Sequence, residues 1–271
     1  MENYISAAPL WAILLFIPSF LGSLAVIAQP FKQAALNAGM TPGRSRTIQA
    51  GILLFYVLWL GYASILALEG TLAANTLPPR VIVLLTIPLM LILFAIVGNT
   101  TLFKKLLRSA SLESLISMHI FRVLGVFFFL LLYYKLLETE FALSAGLGDI
   151  ITAIFAIPVA RAVAQKKPWS RKAVYAWNIF GILDIVSLMT IALYNAVKTS
   201  GSGQNSGEMT MFPFVWFPAF APATILFLHF AIFRKLRWSR SPDRLDAAGM
   251  PHHTPEPQTP DPRAGVNQKY A

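Results

Sequence analysis

The chain contains no cysteine. That excludes disulfide bonds, thiolate metal sites, thiol redox chemistry and thioester catalysis. Charge is the next scarcity: only 13% of the 271 residues are charged, and just 12 are acidic. Average chains carry about 25% charged residues, so this one falls outside the ordinary soluble class. What fills the gap is apolar, with 56% hydrophobic residues and a mean hydropathy of +0.62. Those values belong to polytopic membrane proteins. The net charge of +10 does not point to nucleic acid, because the basic residues sit at the ends of apolar runs.

Several signatures are missing as well. There is no Ser-His-Asp order, no HExxH and no P-loop. The last apolar run has no interior lysine on which a retinal Schiff base could form. Neither the DRY nor the NPxxY signature of seven-span receptors is present. The second run lacks the Trp-Glu pattern of the fungal membrane terpene cyclases.

Seven apolar runs are present, at approximately 8–28, 48–69, 81–98, 114–137, 141–163, 174–197 and 212–235. A helix needs about 20 residues to cross some 30 Å of hydrocarbon, so each is long enough to span. The third is the shortest and has room to continue into Asn99–Leu107. The first follows an acidic leader with Glu2 and no basic n-region, which predicts a retained span rather than a cleaved signal peptide. The fold class expected is all-α, a seven-helix transmembrane bundle over residues 1–240. The Gly/Ser-rich stretch Thr199–Gly207 reads as a flexible external loop. The Pro-rich tail 241–271 reads as disordered, and its His252–His253 pair as solvated, since two histidines lack the ligand count of a structural zinc site.

Charge sets the expected orientation. Lys32, Arg44 and Arg46 follow the first run, Lys104, Lys105 and Arg108 the third, Arg161 to Lys172 the fifth, and Arg234, Lys235, Arg237 and Arg240 the seventh. The opposite side carries only Arg80, Lys135 and Lys198. The positive-inside rule then predicts an outside amino terminus and a cytoplasmic carboxyl terminus. Trp11, Trp59, Trp177, Trp216 and Trp238 fall near run ends, where an aromatic belt is expected.

Charges inside these runs are the functional lead, because an ionised side chain at membrane depth needs a partner, water or a function. Counting about 1.5 Å per residue puts Arg122 roughly 12 Å and Asp184 roughly 15 Å in from the same face. Asp149 descends roughly 12 Å from the other. Two aspartates near one arginine leave one carboxylate without a full partner, the better candidate for proton transfer. His119 and Arg122, three apart, share a helix face. His229 reaches the depth of His119, which raises a bis-histidine haem; a hydrogen-bonded structural histidine is the plainer alternative. Pro218, Pro222 and His229 share a face, where the prolines would free carbonyls toward the interior. Gly146, Gly148 and Gly181 read as close helix contacts, or the Ala145–Asp149 run as a loosened turn that turns Asp149 toward a cavity. The plain alternative to a pocket is that Arg122 and the aspartates simply staple three helices.

These residues also carry a resemblance. His119-x-x-Arg122-x-x-Gly125, Phe141-Ala142-x-x-Ala145-Gly146-x-Gly148-Asp149, Trp177-Asn178-x-x-Gly181-x-x-Asp184, and Pro218-x-x-x-Pro222 with Leu228-His229 look like a widespread family of bacterial polytopic membrane proteins. The match covers roughly residues 112–236. Members usually carry another polar residue, often Gln, where this chain has His119, which weighs against haem. The resemblance implies an inner-membrane protein and the importance of these positions, and supplies no activity.

The expectation is therefore a multi-pass protein of the cell inner membrane with a polar pocket. Asp149 and Asp184 would carry or transfer protons, while His119, Arg122, Asn178 and His229 would contact a small anionic or amphipathic molecule, with Arg122 as counter-ion. An intramembrane isomerase or cyclase on a lipidic substrate is the alternative, and a b-type haem protein the next. The partners expected are the lipid bilayer and that small molecule, with no nucleic acid.

Overall fold

In hydrocarbon, backbone N–H and C=O groups have no water to bond, so an apolar run must satisfy them within its own helix. The seven runs obey. The structure, a computed structural model, describes residues 4–74, 76–199 and 207–238. Among these the protein is all-α. Helix α1 spans Leu10–Asn37, α2 Pro42–Leu68, α3 Ile82–Asn99, α4 Thr101–Ser109, α5 Leu112–Tyr133, α6 Thr139–Ala164, α7 Ser170–Thr199 and α8 Trp216–Trp238. All but α4 are long and apolar enough to cross a bilayer, so this is a multi-span membrane protein. The tail 241–271 and most of the Gly/Ser-rich Thr199–Gly207 stretch lie outside the described residues.

Some helix ends differ from the apolar runs, for physical reasons. Helix α1 continues past residue 28 to Asn37 because Phe31, Ala34 and Ala35 remain buried, with the Phe31 ring 6.2 Å from Phe103 of α4. Helix α2 begins early, at Pro42, where the Thr41 side chain accepts from the Arg44 N–H and proline suits the first turn. Helix α8 begins late, at Trp216, because the backbone before it is engaged elsewhere. Phe212 donates to the Tyr4 carbonyl at 3.1 Å and accepts from Ser6 N–H at 2.8 Å, strapping the amino-terminal segment across the bundle. The third span does not continue into Asn99–Leu107. Thr100 is extended and caps a separate helix, α4, through the Phe103 N–H. Helix α4 buries Phe103, Leu106 and Leu107 and turns Lys105 and Arg108 outward.

Burial separates centre from periphery. The apolar windows of α8 and α5 are 72% and 61% buried, against 22% for α2 and α7. Helices α5 and α8 are thus the core, while α2 and α7 turn Leu58, Ile65, Leu183 and Tyr194 to the lipid. An aromatic cluster joins α1 to α8: Phe16 lies 4.6 Å from Phe214 and Phe20 5.3 Å from Phe220, between ring centroids. Pro222 cannot donate to the carbonyl four residues back, at Pro218. The Thr86 hydroxyl of α3 donates to that carbonyl instead, at 2.9 Å.

The expected tryptophan belt does not hold. Trp11 is exposed, but Trp177 and Trp216 are interior. Trp216 donates to Ser64 Oγ at 2.9 Å and Trp59 to the Ala219 carbonyl at 2.9 Å. Their N–H groups find partners on neighbouring helices rather than in head groups. Trp238 lies between Arg108 and Arg234, each guanidinium 5.0 Å from its ring.

Candidate functional site

The middle of α5 is wound more tightly than an α-helix, as a 3-10 helix over Met118–Gly125. At three residues per turn, side chains three apart eclipse. His119, Arg122 and Gly125 therefore stand in one column down the inner face, and the first two are buried to 1% exposure or less. Each meets a different layer of the bundle.

Arg122 is the middle layer. Its Nε donates to Asp149 Oδ1 of α6 at 2.6 Å, and its Nη2 pairs with Asp184 Oδ2 of α7. Its Nη1 lies 3.3 Å from His229 Nε2 of α8. All three guanidinium nitrogens are thus engaged, each by a different helix. For Nη1 to donate, His229 must present an unprotonated Nε2 and carry its proton on Nδ1. That arrangement fits the other side of the ring, where Nδ1 lies 2.8 Å from Asn178 Oδ1. The Asn178 amide closes the loop by donating to the His229 carbonyl at 3.1 Å.

The layer below is made of rings. His119 lies 4.3 Å from His229 and 5.0 Å from Trp177, edge to face with the latter. Both its ring nitrogens are buried without a hydrogen-bond partner, as is Thr152 Oγ1. Trp177 donates to the Thr152 carbonyl at 3.0 Å. The sequence gives little sign that Trp177 belongs here. Its adjacency to Asn178 is the available cue, and helix-end statistics point the other way. Haem does not fit these histidines. Axial ligation needs iron and a flat macrocycle between the rings, whereas these rings are in contact and both His229 nitrogens are committed within the protein.

Glycines let the helices close around the cluster. A β-carbon on Gly125 would meet Asp149 Cβ at 2.6 Å, one on Gly148 would strike the Asp184 carboxylate, and one on Gly181 the His229 ring. The close-contact reading of these glycines therefore holds. The loosened-turn reading does not, because α6 runs unbroken from Thr139 to Ala164 through the Ala145–Asp149 segment.

Above the cluster is a cavity of about 350 Å³. Its floor is Asp149, and its walls include Ile82 of α3, Phe128 of α5, Leu188 and Met189 of α7, and Phe217 of α8. Its rim carries Arg80, Glu138 and Glu208. Asn195 donates to Glu138 at 2.6 Å and Arg80 to the Thr71 carbonyl at 3.0 Å. Burial raises the Glu208 carboxyl above its ordinary 4.5, against the opposing pull of Ser6 and the Ala7 N–H, which donate to it. A second void of about 10 Å³ lies beside Arg122 and Asp149, near the minimum for one water.

All six residues singled out by the sequence, His119, Arg122, Asp149, Asn178, Asp184 and His229, come together in one connected group. Only Asp149 lines the large cavity; His119, Asn178 and His229 are packed beneath it. Arg122 is not among the residues that line the cavity, and each of its three nitrogens has a partner inside the cluster.

A family model described as a domain of unknown function (DUF8737) matches residues 78–237, more than half of the chain. It takes in α3 to α8, hence the whole cluster and most of the cavity wall. No curated protein and no solved structure matches. The protein thus belongs to the DUF8737 family, as a multi-span membrane member with a buried Arg122/Asp149/His229 cluster at its centre.

Proposed function

We propose that this protein binds, and in binding moves or senses, a small amphipathic molecule in the cavity above Asp149. One observation carries this reading: the cavity is apolar along its length and ends on a buried carboxylate. Its volume falls in the range of about 300–1,000 Å³ usual for small-molecule sites. Apolar walls with one polar group at the end suit a ligand with an apolar body and a polar head. The Arg122 cluster serves as the rigid base that fixes Asp149, and its surplus of carboxylate over guanidinium gives the site capacity for a proton. The same geometry supports a second reading, an intramembrane isomerase or cyclase in which Asp149 is the general acid toward a lipidic substrate.

The distribution of basic residues supports an orientation with the cavity facing outward and the carboxyl end in the cytoplasm. The bilayer we propose is a bacterial inner membrane. Because the chain has no native thiol, single cysteines report this directly. A cysteine at Thr76 should react with an impermeant maleimide on intact cells and one at Gln165 should not; the reverse pattern would invert the topology.

The ligand is tested by extracting purified protein and identifying what co-purifies by mass spectrometry. Ala192→Trp, in the cavity wall, should empty the site while leaving the cluster untouched. An amphipathic compound retained by wild type and lost in Ala192→Trp supports binding. The same compound recovered chemically altered after incubation, and unaltered with Asp149→Asn, would favour the enzyme. Retention of the same compounds by both proteins would sink the cavity reading.

A further inference from the structure

Three acidic residues, Glu138, Asp149 and Glu208, line the cavity. Asp149 is 95% buried (5% exposed). Its Oδ1 accepts from Arg122, while Oδ2 accepts no hydrogen bond among the described residues and lies on the side of Gly125. Among the described residues, Glu138 and Glu208 are the other acids of the lining and Arg80 its only cation. Arg122, the nearest other positive charge, is shared between Asp149 and Asp184. Among the described residues, four carboxylates therefore stand around the cavity and its floor against two guanidiniums. An anionic head placed at Asp149 would meet a carboxylate.

The wall beside that carboxylate is aromatic. Phe128 and Phe217 line the cavity with ring centroids 4.3 Å apart, and Phe141 stands 6.0 Å from Phe128. Phe217 also borders the small void that Asp149 and Arg122 share, so it lies at the level of the carboxylate. Ring faces attract a desolvated cation through their quadrupole, and aromatic walls closed by a carboxylate suit an ammonium group. Phenylalanine offers no hydrogen bond that would favour an oxyanion or a sugar.

Resting on the reading that this cavity binds an amphipathic molecule, we infer that its ligand is an alkylammonium: a cationic nitrogen between the Asp149 carboxylate and the Phe128 and Phe217 rings, with an apolar chain running along Ile82, Leu188 and Met189 toward the rim. This reverses the charge expected from Arg122, which the structure places behind the aspartates instead of in front of them. The rim acids, Glu138 and Glu208, would draw a cation inward in the same sense. No covalent step is involved.

The test compares three eight-carbon-chain probes in dodecyl maltoside: octyltrimethylammonium, its uncharged carbon isostere 2,2-dimethyldecane, and the anion octanoate. Binding is followed by calorimetry and by the shift in melting temperature. Octyltrimethylammonium should bind at least tenfold more tightly than either other probe. That preference should fall about tenfold in Asp149→Asn and several-fold in Phe128→Leu, while Ala192→Trp abolishes binding of all three. Because Asp149→Asn also disturbs the Arg122 pair and could unfold the protein, Phe128→Leu provides the independent measure of charge preference. Equal affinity for the three, or preference for octanoate, overturns the ammonium assignment and leaves the amphiphile cavity standing. Binding that survives Ala192→Trp unchanged, or no binding by any probe, overturns the cavity reading itself.

Discussion

The Arg122 cluster and the cavity above it share one residue and differ in almost every other respect. In the cluster each guanidinium nitrogen has a partner and His229 is bonded on both ring nitrogens. The helices are drawn so close that glycine is needed at residues 125, 148 and 181. In the cavity about 350 Å³ is left unfilled, and Asp149 at its floor has an oxygen, Oδ2, that accepts no hydrogen bond among the described residues. Asp149 belongs to both, tied to Arg122 through Oδ1 and lining the cavity floor. A buried ion pair is weak evidence for stability, since apolar replacements of similar volume often do as well. The contrast suggests a different use: the ion-paired cluster holds Asp149 in place at the floor of the cavity.

The largest expected effect comes from breaking the saturated half. Arg122→Met leaves two buried carboxylates without their cation and should cost about 3–5 kcal/mol in detergent unfolding. Converting Asp149 and Asp184 to Leu in the same protein should recover much of that loss, because no uncompensated charge remains. It should not recover ligand retention. A triple variant that keeps both stability and its co-purifying molecule would reduce the cluster to a staple and dissolve the comparison.

Next in size is the packing that closes the cluster. Gly148→Ala drives a methyl into the Asp184 carboxylate and should destabilise by about 1–3 kcal/mol, the usual range for overpacking. Gly22 supplies the control: it also lies within a helix, α1, with nothing within 4 Å of a built β-carbon. Alanine there should be neutral or stabilise by up to about 1 kcal/mol, the helix-propensity difference. Equal melting temperatures for the two variants would mean that α6 and α7 are not as close as the cluster requires.

The two aspartates sharpen the boundary further. Both Asp149→Asn and Asp184→Asn weaken the tie to Arg122, so both should lower the melting temperature by a few degrees. Only Asp149→Asn should alter probe selectivity, because Asp184 is absent from the cavity lining. Equal loss of selectivity in both variants would make the pair a single site, with Asp184 acting through Arg122.

Most of the cluster was legible in the sequence and most of the cavity was not. Depth counting at an α-helical rise placed Arg122 level with Asp184 and His119 level with His229, and their side chains do meet, although the 3-10 stretch Met118–Gly125 rises faster per residue than the count assumes. Charge scarcity marked the residues worth counting. Depth says nothing about rotation around the helix axis, however, and rotation decides which groups line a space. That is why Arg122 looked available to a ligand, and why Trp177 looked like a belt residue. The lining of the cavity escaped notice for another reason. Its rim comes from the segments around Thr76, Glu138 and Glu208, where chain connections bring unrelated residues together and no period marks the sequence. The strap from Tyr4 to Ser6 onto Phe212 was equally silent, since it rests on backbone hydrogen bonds that any residue can make.

The smallest expected effect lies at that rim and has a definite sign in pH. Glu208 is buried beneath Ser6 and its carboxyl is raised above the ordinary 4.5. The folded protein therefore prefers the neutral acid more than the unfolded chain does. Below pH 4.5 both states hold the proton, and the stabilisation is fully present. As pH rises the unfolded chain ionises first, and the stabilisation is lost progressively until the folded carboxyl has ionised at its higher value. Glu208→Gln is neutral at every pH and keeps an oxygen to accept from Ser6. Its melting temperature should match wild type near pH 4.5, exceed it increasingly toward neutrality, and then hold a constant margin. A margin that stays flat from pH 4.5 to 8 would mean that Glu208 is solvated and that the amino-terminal strap does not cover it. The contrast between a saturated cluster and a covered cavity would then hold only at the floor.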